Sequence, residues 1–144
     1  MYRTETPDQL SFKDFYLPFG EGLNPKNRWI QLSKLIPWKE VENKYAEHFS
    51  AEGIGAPAKP FRVALGSLMI KEKLRITDEE TVEQIRENPY LQYFIGMEGY
   101  RDEEPFDPSM MVYFRRRITI EMLAEINERI HEEQVKKTAK RFRS

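Results

Sequence analysis

The chain has 144 residues, 40% hydrophobic and 33% charged, with a formal net charge of −1, which is the balance of one soluble globular domain. It has no cysteine, so disulfide bridges and a thiol nucleophile are excluded, and a reducing compartment fits. No apolar run approaches the roughly 20 residues of a membrane span and no signal segment begins the chain, so we expect a cytoplasmic protein without membrane contact.

Charge is distributed unevenly along the chain. Residues 1–76 carry 12 basic and 9 acidic side chains, a net charge of +3. Residues 77–107 carry 2 basic and 10 acidic side chains (−8), and residues 115–144 carry 9 basic and 5 acidic (+4). Binding responds to such local fields, although a dedicated nucleic-acid binder usually has a more basic total.

Residues 1–27 are predicted to form an irregular arm, because prolines and glycines interrupt any long periodicity. Its apolar residues are too many for a solvated tail: Leu10, Phe12, Phe15, Tyr16 and Phe19. We therefore expect the arm to pack on its own domain or on another chain.

Two amphipathic helices are predicted next. The first begins near Trp29 and ends before Pro37, and the second covers residues 37–49, with Trp38 and Phe49 at the ends of its apolar side. The glycine- and proline-rich segment at residues 50–60 is the best candidate for a linker.

Three helical segments are predicted between residues 60 and 96. The first is largely buried over about four turns, and Gly66 within it indicates close packing against another helix. Thr77 begins a T-x-x-E capping box with Glu80, which opens the second segment. The third, at residues 89–96, is short and apolar and is closed by Gly96.

Two further helices are predicted after an acidic loop. Asp107 is the expected N-cap of the first, with Pro108 at its first helical position. Its buried face combines Met110, Met111, Phe114 and Ile118. The second covers residues 120–141, with an apolar stripe of Leu123, Ile126, Ile130 and Val135. Without any convincing strand, the fold class is all-α: one multi-helix domain at residues 28–144, containing helix-turn-helix-like elements, after the arm.

Three consecutive arginines end the first of these two helices. Successive residues turn by about 100°, so the arginines cannot share one face. Arg115 lies beside the apolar face, where we expect it to pair with a carboxylate of residues 98–107. The opposite side forms a candidate phosphate-binding surface, consisting of Ser109, Tyr113, Arg116 and Arg117. The alternative is that these cations merely complement the helix dipole.

A second basic patch is predicted near the end of the chain. If the last helix continues, one broad side carries Lys136, Lys137, Lys140 and Arg141. Such a patch could neutralise several phosphates with salt-sensitive affinity, or it could be a solvated helix end.

Catalytic chemistry is hard to find in the sequence. The two histidines, His48 and His131, have no ligand-spaced partners. The acids at residues 102–107 lack the pattern of a calcium-binding loop. We therefore expect no cofactor and no metal in this chain, and no enzyme activity of its own.

The order of segments resembles a known family. Residues 59–118 run from "KPFRVALGSLMIKEKL" through "ITDEETVEQIRENPYLQYFIGM" to "EPFDPSMMVYFRRRI". This stretch resembles the N-terminal domain of bacterial insertion-sequence transposases, the InsH-type proteins of the insertion-sequence-five-like group. The shared features are the acid-capped helix, the short apolar helix with its glycine, and the set Pro105, Ser109, Phe114, Arg115, Arg117 and Ile118.

The resemblance implies a helical DNA-binding or assembly domain that precedes a ribonuclease-H-like catalytic domain. In that reading double-stranded DNA at the element's terminal inverted repeats is the partner, and the divalent metal belongs to the catalytic domain, which is absent from this chain. The apolar segment at residues 89–96 is unsuited to reading bases, so the helix from Pro108 to Ile118 is the better DNA-facing element. Two alternatives stay open: a module that pairs subunits, as a homo-oligomer or with a full-length transposase, and a regulator derived from a truncated transposase.

Overall fold

A computed structural model describes residues 11–18, 22–45 and 60–143. Within these ranges the chain forms seven α-helices and no strand, which confirms the all-α prediction. The helices are α1 Arg28–Leu35, α2 Trp38–Lys44, α3 Phe61–Leu74, α4 Asp78–Glu87, α5 Pro89–Phe94, α6 Met110–Arg117 and α7 Ile120–Arg143, and a short 3-10 helix covers Phe12–Asp14.

Helix α3 is central to the core. Phe61, Leu65 and Ile70 are fully buried along it, and it packs against both α4 and α6. Helix α1 packs against α5 and against the first part of α7. Burial of apolar side chains from every helix around α3 supplies the main stabilisation of such a domain.

Gly66 allows α3 to approach the end of α5 closely, as predicted. A Cβ atom at this position would lie 3.0 Å from Cγ2 and 3.3 Å from Cα of Ile95. Because part of that contact is backbone, a larger residue would force the two helices apart.

Side-chain caps fix where the helices begin. Asn27, Thr77 and Asn88 each accept a hydrogen bond from a backbone N–H in the first turn of α1, α4 and α5. The predicted capping box is only half formed, because the carboxylate of Glu80 accepts a hydrogen bond from Gln84 at 2.9 Å. Gly96 follows α5 with a φ of +90°, which confirms its predicted role as a stop.

The described part of the arm packs on its own domain. Phe15 and Leu23 are buried in a cluster with Ile30 and Tyr93. Tyr16 pairs with the loop after α5, donating its N–H to the carbonyl of Glu98 and accepting from the N–H of Tyr100.

Some predicted features lie outside the described residues. These are the first ten residues of the arm, the linker, His48 and Phe49. The predicted helix at residues 37–49 is observed as α2, Trp38–Lys44.

Candidate nucleic-acid interface

Helix α6 is anchored by its inner face. Met111 and Phe114 are fully buried and Ile118 is nearly so, and the ring of Phe106 meets that of Phe114 edge-on at 5.1 Å between centroids. Of the predicted apolar face, only Met110 is half-exposed. The inner face therefore holds α6 rigidly on α3.

The predicted start of α6 is wrong by two residues. Ser109 is the N-cap, and Pro108 precedes the helix. The Asp107 carboxylate accepts the N–H of Ser109 at 2.9 Å, and the Asp107 carbonyl accepts the N–H of Met110 at 2.9 Å. This tight turn satisfies the backbone donors before regular helix begins.

Arg115 has a structural partner, but not the predicted one. Its guanidinium donates to both carboxylate oxygens of Asp78, at 2.7 and 3.0 Å, and not to a carboxylate within residues 98–107. Lys71 lies 3.2 Å from the same carboxylate. Hydrogen bonds from Arg115 and Lys71 hold the pKa of Asp78 below its usual value. The contact joins α3, α4 and α6.

The outer face of α6 consists of Ser109, Val112, Tyr113 and Arg116, at helical steps of three and four. Val112 is 41% exposed and Tyr113 is 49% exposed. The guanidinium of Arg116 lies over the ring of Tyr113, 5.6 Å from its centroid, which is a cation–π contact. Arg116 is exposed and Arg117 is half-buried, so Arg116 is the more accessible of the two predicted DNA-binding arginines.

A negative charge lies at the start of this face. The backbone N–H of Ser109 lowers the pKa of the exposed Asp107 carboxyl, which therefore stays ionised at neutral pH. The basic residues lie at the other end of α6. The potential along the helix thus changes from negative to positive between Asp107 and Arg117.

Helix α7 has a packed part and an outer part. Met122, Ile126 and Ile130 are buried, but every residue from 131 to 141 is exposed. Val135 is 53% exposed, so its predicted place in the apolar stripe is wrong: at about 100° per residue it lies roughly 140° around the helix from Ile130, away from the buried side. The outer part is about 16 Å long at 1.5 Å per residue.

The predicted basic residues of α7 all lie in this outer part and are exposed: Lys136, Lys137, Lys140 and Arg141. Lys136 approaches Glu133 at 3.5 Å, an ion pair of small energetic weight at this exposure. We call these four residues the α7 basic patch.

Sequence reasoning missed Val112, which belongs to the site, and Arg62, which belongs to the core that supports the fold. Val112 lies on the outer face of α6, and its spacing from Ser109 and Arg116 was the available signal. Arg62 is buried, donating to the carbonyls of Phe94 and Tyr93 at 3.0 and 3.1 Å. Burial lowers the pKa of Arg62, and nothing in the neighbouring sequence signals that burial.

Neither a cluster of metal-ligating side chains nor a membrane-spanning helix is found among the described residues. Across 11–18, 22–45 and 60–143, no group of three or more His, Cys, Asp or Glu side chains is arranged to hold a metal ion. None of the helices in those ranges has both the length and the apolarity of a membrane span.

The sequence that forms these helices matches a known protein family. Residues 18–117 match a family model described as "Transposase domain (DUF772)". The chain belongs to this transposase domain family. The match ends at Arg117, so it contains the whole of α6 and stops before α7. The predicted resemblance to a transposase domain is confirmed.

One curated relative extends beyond the region matched here. It is described as "Uncharacterized protein ORF8 in nfe locus" from Rhizobium meliloti, and it is 34% identical over 104 residues. The alignment covers 72% of this chain and 49% of the relative, so this transposase domain matches about half of that protein's length. No solved structure gives a significant match.

Proposed function

We propose that this transposase domain binds duplex DNA at the terminal inverted repeats of a transposable element and helps to assemble the transposase there. The observation that carries the proposal is the α7 basic patch, which extends past the domain core on an exposed helix. Membership of the transposase family supplies the biological setting.

The outer part of α7 is better suited to a polyanion than to an apolar partner. The positions that continue the buried stripe of Met122, Ile126 and Ile130 are polar or charged, beginning with Gln134 and Lys137. Residues 134–141 carry four basic and no acidic side chains. Lysine and arginine neutralise phosphates and release their counterions, which favours binding to DNA.

The outer face of α6 supplies a second surface with positive charge. Arg116 is exposed and held over Tyr113, while Arg117 and Ser109 lie at the edges of the face. Arginine and hydroxyl groups are common donors to phosphate oxygens. Arg115, bound at both nitrogens to Asp78, serves instead to fix the helix that presents them.

Catalysis is assigned elsewhere in this proposal. DNA cleavage and strand transfer, with their divalent metal, would belong to a separate catalytic domain, and the residues of this chain would bind and position the element ends. No cofactor is required for that task.

The test is binding of the chain to a duplex across a salt series. We expect affinity to fall steeply as salt rises. Replacing all four residues of the α7 basic patch by glutamine should make the slope of log affinity against log salt shallower by roughly 0.9 for each phosphate that is no longer neutralised. Lys13→Gln with Lys26→Gln is the matched control, because both lysines are exposed on the arm. Absence of salt-dependent binding in the folded chain would reject the proposal.

Subunit pairing is the second candidate, because exposed acids at residues 102–104 could meet the α7 basic patch of another copy. That acidic loop is partly neutralised within the chain, since Arg86 binds Asp102 at 2.6 Å and Arg101 lies 3.6 Å from Glu103. Sedimentation should then show self-association that weakens with salt, and a monomer at all concentrations would exclude this candidate.

A further inference from the structure

The outer face of α6 contains apolar side chains as well as groups that can bind phosphate. Val112 and Tyr113 are large apolar side chains, both exposed on a helix whose inner face is packed in the core. A phosphate-binding surface does not need exposed aliphatic groups, because phosphate contacts are polar. The face therefore matches a partner that offers apolar and polar groups side by side.

The major groove of DNA offers that combination. Its edges present the methyl group of thymine beside the acceptors N7 and O6 of guanine. A valine side chain is complementary to the thymine methyl group, and an arginine guanidinium is complementary to the guanine acceptors. An α-helix fits this groove, and eight residues of α6 are about 12 Å long, comparable to the groove's width.

From these features we propose that α6 lies in the major groove with Val112 against a thymine methyl and Arg116 donating to a guanine. This inference rests on the proposed DNA-binding function and makes Val112 and Arg116 determinants of sequence preference.

The surroundings of α6 support this assignment. The contact of Arg115 with Asp78 and the burial of Phe114 fix the helix on the domain, so the outer side chains are presented from a rigid element. Tyr113 holds the guanidinium of Arg116 in place, which reduces the entropic cost of binding a base.

The opposite charges at its two ends determine how α6 is oriented in the groove. The ionised Asp107 lies at the N-terminal end of α6, where it would repel phosphates, and the arginines lie at the C-terminal end. Arg116 lies in the last turn of α6, together with Arg115 and Arg117. We therefore place that end deepest, with the α7 basic patch following along the backbone.

The experiment begins by selecting duplexes from a randomised library with the native chain. Each thymine of the selected duplex is then replaced by deoxyuridine, which removes only the C5 methyl group. One replacement should weaken native binding about fourfold, the amount expected when one methyl group is no longer buried. The same replacement should have no further effect on Val112→Ala.

Arg116→Ala is tested in the same selection. The variant's preference for the duplex with the guanine over one with another base should fall roughly tenfold. It should still bind duplex DNA in a salt-dependent manner. The matched control for Val112→Ala is Val135→Ala, because Val135 is similarly exposed but lies on α7. It should keep both the guanine preference and the sensitivity to deoxyuridine.

The outcomes separate this inference from the proposed function. Salt-dependent binding with no selected consensus, or with deoxyuridine sensitivity that persists in Val112→Ala, would overturn base reading by α6 and leave DNA binding intact. No binding to any duplex would overturn both. If Val112→Ala instead weakened self-association and left sequence preference unchanged, the face would be a protein interface and the inference would be wrong.

Discussion

The inner and outer sides of α6 carry the same residue types in different roles. Tyr113 and Phe114 are adjacent aromatic residues, yet Phe114 is fully buried and Tyr113 is 49% exposed. Arg115 and Arg116 are adjacent arginines, yet Arg115 is bound to Asp78 and Arg116 lies over Tyr113 on the exposed side.

The difference shows that residue type alone does not indicate function in this segment. The helical step of about 100° gives adjacent residues of similar chemistry different surroundings: Phe114 is buried and Tyr113 is not, while both arginines are exposed but only Arg115 is bound to Asp78. Side chains on the inner side have partners within the domain, so they stabilise it. Side chains on the outer side leave apolar and charged surface accessible, so they are the ones that can bind a ligand.

The largest effect expected from this comparison is on stability. Phe114→Ala should lower the free energy of unfolding by about 4 kcal/mol, because it leaves a cavity in the core. Tyr113→Ala is the matched substitution and should change it by no more than about 0.5 kcal/mol. Urea denaturation of the two variants measures both values. Equal decreases would mean that the two sides of α6 are not distinct.

A smaller effect is expected where Arg115 meets Asp78. Asp78→Asn should cost about 1 kcal/mol at neutral pH, because this is a partly exposed ion pair with good two-point geometry. The folded pKa of Asp78 is lowered by Arg115, so its contribution is present above the ordinary aspartate pKa and is lost as pH falls through the folded value.

The advantage of the native chain over Asp78→Asn should therefore shrink as pH falls below about 4. Denaturation series at neutral and acidic pH measure this difference. Glu79→Gln is the control, since Glu79 is exposed in the same turn of α4 and should show a smaller effect. An advantage that did not change with pH would show that the ion pair contributes nothing.

Local signals in the sequence predicted much of the fold. The cap at Thr77 and the stop at Gly96 each depend on a few neighbouring residues, and both are observed. Gly66 indicated close packing, which is observed, but not its partner Ile95. The apolar face of α6 was likewise predictable from its helical period, because burial of Met111, Phe114 and Ile118 follows the spacing.

Tertiary relations could not be predicted in the same way. Asp78 is 37 residues from Arg115, and only the packing of the folded chain brings them together. The exposure of α7 beyond Ile130 depends on where the packed surface of the domain ends. Arg62 is a cation with no sequence neighbour that signals its burial, yet its helix places it beside the carbonyl groups that end α5. The site residues on α6 and α7 remain predictions.

The central claim is that the outer side of α6 binds DNA while the inner side only supports it. The most direct test is the salt dependence of duplex binding for the native chain and for Arg116→Ala with Arg117→Ala, at matched stability. We expect the double substitution to weaken binding and to make the slope of log affinity against log salt shallower by about 1, because Arg117 is the phosphate contact and Arg116 donates to a base. An unchanged affinity and slope would contradict the claim and leave these arginines as ordinary charges at the end of a helix.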